Sequence, residues 1–158
     1  VIIFRNYIWA FLIIILVAWL DQESKLFIYR LVSDGSSIHI TSFFNIISAW
    51  NHGVSFGIMN NPTTSKWLLI AISGGLISIL IYLLHKAHLM QRIAYSFIIG
   101  GAVGNVIDRL NYGAVFDFLD FHYQRWHYPT FNVADAFIVL GAAILLLFHD
   151  KDKQVNLK

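Results

Sequence analysis

Trp67-Leu68-Leu69-Ile70-Ala71-Ile72-Ser73-Gly74-Gly75-Leu76-Ile77-Ser78-Ile79-Leu80-Ile81-Tyr82-Leu83-Leu84 runs for 18 residues without a charge. Coiled as an α-helix at ~1.5 Å per residue it rises about 27 Å, close to the ~30 Å hydrocarbon thickness of a bilayer. Further uncharged blocks occupy residues 7–20, 93–107 and 136–148. Apolar residues make up 58% of the chain and charged residues 13%, about half the charge of a soluble domain.

The expected fold is therefore an α-helical integral membrane protein, a single membrane domain over residues 1–158 with four transmembrane helices. Their spans are about 7–28, 67–84, 93–110 and 131–148. The first must run past Asp21, and the third must carry Asp108 and Arg109 near its end. Charge at membrane depth is costly and tends to be functional. A cleavable leader over residues 1–20 is disfavoured, because Ala18-Trp19-Leu20-Asp21 has no small-x-small cleavage site. The chain begins at Val1, so an initiator residue is expected before it. The absence of cysteine excludes disulfides, thiolate metal sites and a cysteine nucleophile.

Four spans put residues 1–6, 85–92 and 149–158 on one side. That side holds Arg5, Lys86, Arg92, Lys151, Lys153 and Lys158 against Asp150 and Asp152. The positive-inside rule makes it cytoplasmic, with both termini there. The remaining seven acids, Asp21, Glu23, Asp34, Asp108, Asp117, Asp120 and Asp135, lie at or beyond the outer face, where the chemistry is expected. In the outer segment 31–66, Ile38-His39-Ile40 and residues 43–50 are β-branched and aromatic around Thr41-Ser42, which predicts a small sheet on the membrane surface. Residues 111–130 read as an outer loop. Trp9, Trp19, Trp67 and Trp126 read as interfacial aromatics.

Several motifs carry no chemistry in this context. Gly53-Val54-Ser55-Phe56-Gly57 matches a nucleophile elbow, which requires the strand-to-helix turn of an α/β fold. Ser24-Lys25 and Ser65-Lys66 are adjacent pairs that diverge on a helix. His85 and His88 lie away from the acids and form no metal-binding spacing, so no metal or other cofactor is expected. Gly100-x-x-x-Gly104 is a helix-packing pattern.

Gly101, Asn105 and Asp108 stand at i, i+4 and i+7 and form a polar strip with Gly104 beside them. The fourth span repeats the pattern as Asn132-x-x-Asp135. Asp108 precedes Arg109, which suggests a paired, ionised carboxylate in a structural role. Asp117 sits in Val115-Phe116-Asp117-Phe118, an apolar setting that favours the neutral acid. The residues alone leave Asp108, Asp117 and Asp135 as candidates, with Asp117 preferred to Asp108.

Five ordered motifs resemble those of the bacterial lipoprotein signal peptidases, signal peptidase II. Asp21-Gln22-Glu23-Ser24-Lys25 is similar to the family's Asp-Gln-x-Ser-Lys, and Asn51-His52-Gly53-Val54-Ser55-Phe56 to its Asn-x-Gly-x-Ala-Phe. Gly100-Gly101-Ala102-Val103-Gly104-Asn105-Val106-Ile107-Asp108-Arg109 follows, then Val115-Phe116-Asp117-Phe118 and Phe131-Asn132-Val133-Ala134-Asp135. The departures are Ser55 for Ala and Phe116 for Val.

The resemblance implies an aspartyl endopeptidase of the bacterial inner membrane. It would remove the signal peptide from prolipoproteins by cutting before a diacylglyceryl-modified cysteine. The resemblance assigns catalysis to Asp117 and Asp135, and orienting, structural or substrate-contacting roles to Asp21, Lys25, Asn51, Gly53, Asn105, Asp108, Arg109, Asn132 and Ala134. Its partners would be lipid-modified prolipoprotein signal peptides and membrane lipids, with no nucleic acid. The alternative from another class is a small proton-coupled transporter. That needs polar groups from side to side, whereas residues 67–84 offer only serines, and below Asn105 the third span offers little beyond glycine and Ser96.

Overall fold

The computed structural model describes residues 2–32, 35–53 and 62–148, with side chains from Tyr7 in the first stretch and from Lys66 in the third. Asp34, Ser55, Phe56 and the basic tail from residue 149 lie outside the described residues. Four helices are present among the described residues: α1 (Ile2–Val32), α2 (Pro62–Lys86), α3 (Leu89–Tyr112) and α4 (Val133–Phe148). Proline occurs in them only as the first residue of α2, where its missing N–H has no intrahelical partner to lose. Residues Lys66–Lys86 and Leu89–Tyr112 are each long and apolar enough to cross a membrane; Val133–Phe148 is apolar but shorter. The first helix outruns its expected end at residue 28, and the fourth starts at Val133 rather than 131.

The central helix is α3, packed against α4, α1 and α2. Its glycines set how closely the neighbours approach. A Cβ at Gly100 would meet Val17, and one at Gly104 would meet the Asp21 carboxylate, both on α1. A Cβ at Gly101 would strike the Ala134 carbonyl and the Ile138 side chain of α4. The polar strip expected on one face thus straddles two: Gly101 turns to α4, and Gly104 to α1. At one end of the bundle Tyr7 Oη lies 2.8 Å from His85 Nδ1, with Arg92 over the Tyr7 ring, so the start of α1 meets the α2–α3 turn.

Apolar side chains also line the outside. Phe11, Trp19 and Phe27 on α1, Ile72, Ile79 and Ile81 on α2, and Val139, Leu146 and Leu147 on α4 are all exposed. Rows of this extent do not remain bare on a water-soluble monomer; lipid is the environment that accepts them. Trp9, Trp19, Trp67 and Trp126 are exposed as well.

At the other end lies a sheet of order β1-β2-β3-β4, built from β1 (Ile38–Thr41), β2 (Phe44–Asn51), β3 (Val115–Tyr123) and β4 (Trp126–His127). The first two strands fall where β-branched and aromatic residues predict them. The outer loop expected over residues 111–130 is instead β3 and β4. Its aspartates disguise an alternation: Phe116 and Phe118 point one way and pack with Ile28 and Val32 of α1, while Asp117 points the other. Antiparallel pairing sets Ala49 opposite Asp117 and Asn51 opposite Val115. An isolated bridge between Leu119 and Phe131 then draws the segment before α4 alongside β3.

The α3–α4 contact yields a stability prediction. Gly101→Val should destabilise the detergent-solubilised protein by about 1–3 kcal/mol, because its neighbour is backbone that cannot rotate away. Gly74→Ala meets nothing within 4 Å and should leave thermal unfolding unchanged or slightly raised. Equal melting temperatures for the two variants would contradict this packing.

Candidate active site

The site grows from charge carried inward by α1. Asp21 is fully buried, and Lys25 Nζ lies 2.8 Å from both Asp21 Oδ2 and Asp108 Oδ2. Spacing of i, i+4 puts Asp21 and Lys25 on one face of the helix. The partner of Asp108 is thus Lys25, correcting the expectation that the adjacent Arg109 supplies it. Asp108 also accepts from Gln22 Nε2 (2.8 Å) and from the Phe116 amide (3.1 Å), and the latter contact hooks the start of β3 onto α3. Asp21 Oδ1 accepts the Ala134 amide at 2.9 Å, in the first turn of α4 where helix N–H groups lack internal partners.

Asn132-x-x-Asp135 is a capping box. Asn132 Oδ1 accepts the Asp135 amide (3.0 Å), and Asp135 Oδ2 accepts the Asn132 amide (3.4 Å). This explains why α4 begins at Val133. The Asn132 Nδ2 group remains free to donate to Asp117 Oδ1 (2.6 Å) and to Asn105 Oδ1 (3.2 Å). Asn105 in turn donates to Asp135 Oδ1 (2.8 Å) and accepts from Lys25 Nζ (3.2 Å). Asp117 and Asp135 are thereby tied to each other through two amide side chains.

The outer segment supplies the last support. Asn51 Nδ2 donates to Asp117 Oδ2 (3.0 Å), while Asn51 Oδ1 accepts the Gly53 amide (2.8 Å). Gly53 has φ 73°, in the left-handed region that favours glycine, which gives the Asn-x-Gly spacing its physical reason. Arg109 Nη1 donates to the Asn105 carbonyl (3.4 Å), and its charge acts on Asp135, Asp117 and Asp108.

Every residue proposed from sequence, Asp21, Lys25, Asn51, Gly53, Asn105, Asp108, Arg109, Asn132, Ala134, Asp117 and Asp135, enters this connected region. Two further contributors went unforeseen. Gln22 bridges Asp21 and Asp108, and its place beside Asp21 was the available signal. The Phe116 amide had no sequence signal at all.

Burial pushes the Asp117 carboxyl up to about 6; hydrogen bonds from Asn51 and Asn132 oppose the rise, and the charge of Asp135 adds to it. Asp120 behaves oppositely. Burial would raise it, but hydrogen bonds from His127 and Asn45 outweigh that and hold it below its ordinary value. One carboxyl is thus biased toward its neutral form beside a second. Such a pair can act as general acid and general base on one bound water. Among the described residues no His, Cys, Asp and Glu group is arranged to hold a metal ion.

Comparison with known proteins matches residues 13–149 to the family described as signal peptidase (SPase) II. The chain is 44% identical over 133 residues to a lipoprotein signal peptidase of Aeromonas hydrophila, covering 81% of this chain and 80% of the relative. It is 41% identical over 146 residues to one from Burkholderia vietnamiensis, covering 90% and 86%. A bacterial membrane enzyme solved by the in meso method at 1.9 Å superposes with a TM-score of 0.80 and 30% identity, over 90% of this chain and 93% of that one. A second, solved at 2.3 Å, gives a TM-score of 0.75 at 28% identity over 91% and 88%. With a family match across most of its length and relatives of this identity, the chain belongs to the signal peptidase II family and is a membrane-embedded protease.

Proposed function

We propose that this protease removes the signal peptide from bacterial prolipoproteins by an aspartyl mechanism, cutting before the diacylglyceryl-modified cysteine, with Asp117 and Asp135 as the catalytic pair. The observation that carries the reading is the hydrogen bonding of Asp117 to Asn132 and of Asp135 to both Asn132 and Asn105, with Asp117 biased toward its neutral form. The ionised member takes a proton from water as the water oxygen attacks the scissile carbonyl. The protonated member gives its proton to the carbonyl oxygen. Collapse of the resulting gem-diol breaks the C–N bond and delivers a proton to the leaving nitrogen. Asn51, Asn105 and Asn132 hold the pair in place before reaction, and Gly53 shapes the turn that presents Asn51. Asp21, Lys25, Asp108 and Ala134 lock the helices beneath them, and Arg109 sets its charge beside both carboxylates.

In this reading all four helices cross the inner membrane. Both termini are cytoplasmic, and the sheet rests on the outer face. The signal peptide, itself a short apolar helix, enters sideways from lipid and presents its end to the dyad. The diacylglyceryl tails stay in the bilayer. A proton-coupled transporter finds no support here: below Asn105 on α3 the buried polar side chain is Ser96, whose hydroxyl is spent on the Arg92 carbonyl.

Asp117→Asn and Asp135→Asn should each remain membrane-inserted and lose cleavage of a lipid-modified prolipoprotein by roughly 10²–10⁴-fold. Substantial cleavage by purified Asp117→Asn would transfer the role to Asp108. Cleavage should withstand chelators and serine reagents but yield to a peptide carrying a tetrahedral hydroxyl; loss of activity with a chelator alone would sink the aspartyl mechanism.

A stability signature accompanies the raised Asp117. Below an unfolded value of about 3.8 the group is neutral in both states. Between there and about 6 the folded state holds a proton that the unfolded state has lost, so stability falls as pH rises. Asp117→Asn removes that loss, offset by one donor left facing its new amide. The variant should be more stable than the parent at pH 8 by on the order of 1–3 kcal/mol, and the gap should close near pH 4. Thermal unfolding of the two proteins across pH measures it, and a pH-independent difference would refute the assignment.

A further inference from the structure

Phe116 and Asp117 are successive residues of β3 and project to opposite faces, so the sheet has a second side, away from the dyad. A cavity of about 260 Å³ opens there between α1, α3 and β2. Its wall is aromatic. Trp50 packs against Phe116 (centroids 5.2 Å), Tyr112 (5.4 Å) and Tyr29 (6.1 Å), and Tyr29 meets Phe116 edge-on at 5.6 Å. Tyr29, Trp50 and Tyr112 are all exposed, so their rings are available to a visitor.

The charge lining this wall is negative. Glu23 and Asp108 border the cavity. Lys25, its one cationic neighbour, is already committed to Asp21, Asp108 and Asn105. Asp21 and Asp108 share that ammonium group, whereas among the described residues no ion pair engages Glu23. Aromatic rings with an adjacent carboxylate attract an organic cation through ring quadrupole and charge together. The apolar Leu26, itself exposed, also borders the space. A ligand with a cationic head and apolar tails fits both features, and the tyrosines and tryptophan suit the headgroup level of a bilayer.

We propose that this cavity is a lipid site that takes the ammonium headgroup of a zwitterionic phospholipid, with Glu23 as counter-charge and Tyr29, Trp50 and Tyr112 as the aromatic wall. The site is separate from the dyad but borders the Lys25–Asp108 pair, which reaches Asp135 through Asn105. A bound headgroup therefore adds a cation next to the ion-pair network that supports catalysis. Asp117 turns to Asn51 and Asn132 on the other face of the sheet.

The test uses the purified full chain in detergent, with short-chain phosphatidylethanolamine and short-chain phosphatidylglycerol titrated in separate arms. Thermal unfolding and native mass spectrometry read binding. The amine lipid should raise the melting temperature and bind about tenfold tighter than the glycerol lipid. Glu23→Gln and Tyr112→Leu, both on exposed side chains, should each weaken the amine lipid by roughly fivefold while leaving the lipid-free melting temperature unchanged. Equal binding of the two lipids, or variants that bind as the parent does, would overturn the site. Equal protection by free ethanolamine would overturn a lipid occupant in favour of a soluble amine. None of these outcomes depends on whether Asp117 and Asp135 perform the cleavage.

Discussion

Lys25 holds a single positive charge between Asp21 and Asp108, and four segments of the protein meet at that point. Asp21 spends its second oxygen on the first turn of α4, and Asp108 spends part of its carboxylate on the start of β3. A buried pair of this kind adds little net stability over an apolar replacement. Breaking it by removing one partner, however, leaves an uncompensated charge that costs about 3–5 kcal/mol. Its value therefore lies in geometry: α1, α3, α4 and the sheet have one arrangement in which every charged atom is paired.

Asn132 converts that scaffold into a site. Its carbonyl oxygen and amide nitrogen do different jobs, one capping α4 and the other reaching Asp117 and Asn105. Because a capping box fixes Asp135 relative to Asn132, placing Asn132 also places Asp135. Asn105 closes the circuit from α3. Amide side chains orient the two carboxylates without neutralising them, which is what the proposed sharing of a proton between Asp117 and Asp135 requires.

The glycines of α3 make this convergence possible. A side chain at Gly101 would strike the Ala134 carbonyl, and one at Gly104 would crowd the Asp21 carboxylate that pairs with Lys25. The sheet above the bundle works with the same economy. One face of β3 packs Phe116 and Phe118 down on α1, while the other turns Asp117 to Asn51 and Asn132.

Local patterns in the sequence were enough for much of this. Uncharged runs such as residues 67–84 specify helices because backbone groups away from water must pair within the segment. The spacing of Asn51 and Gly53 encodes a turn, and Asn132 with Asp135 encodes a cap, both set by residues close in the chain. The residues alone also singled out Asp108, Asp117 and Asp135, and only the family resemblance prefers the last two to the first for the proposed catalysis. What the sequence could not decide was partnership across distance. Asp108 pairs with Lys25, 83 positions away, rather than with its neighbour Arg109. Residues 115–123 form a central strand only because β2 and the segment before α4 lie on either side of them. Helix periodicity and strand alternation are properties of neighbouring bonds, whereas charge pairing and sheet order depend on which segments come together, and the packing of α1, α3 and α4 alone determines that.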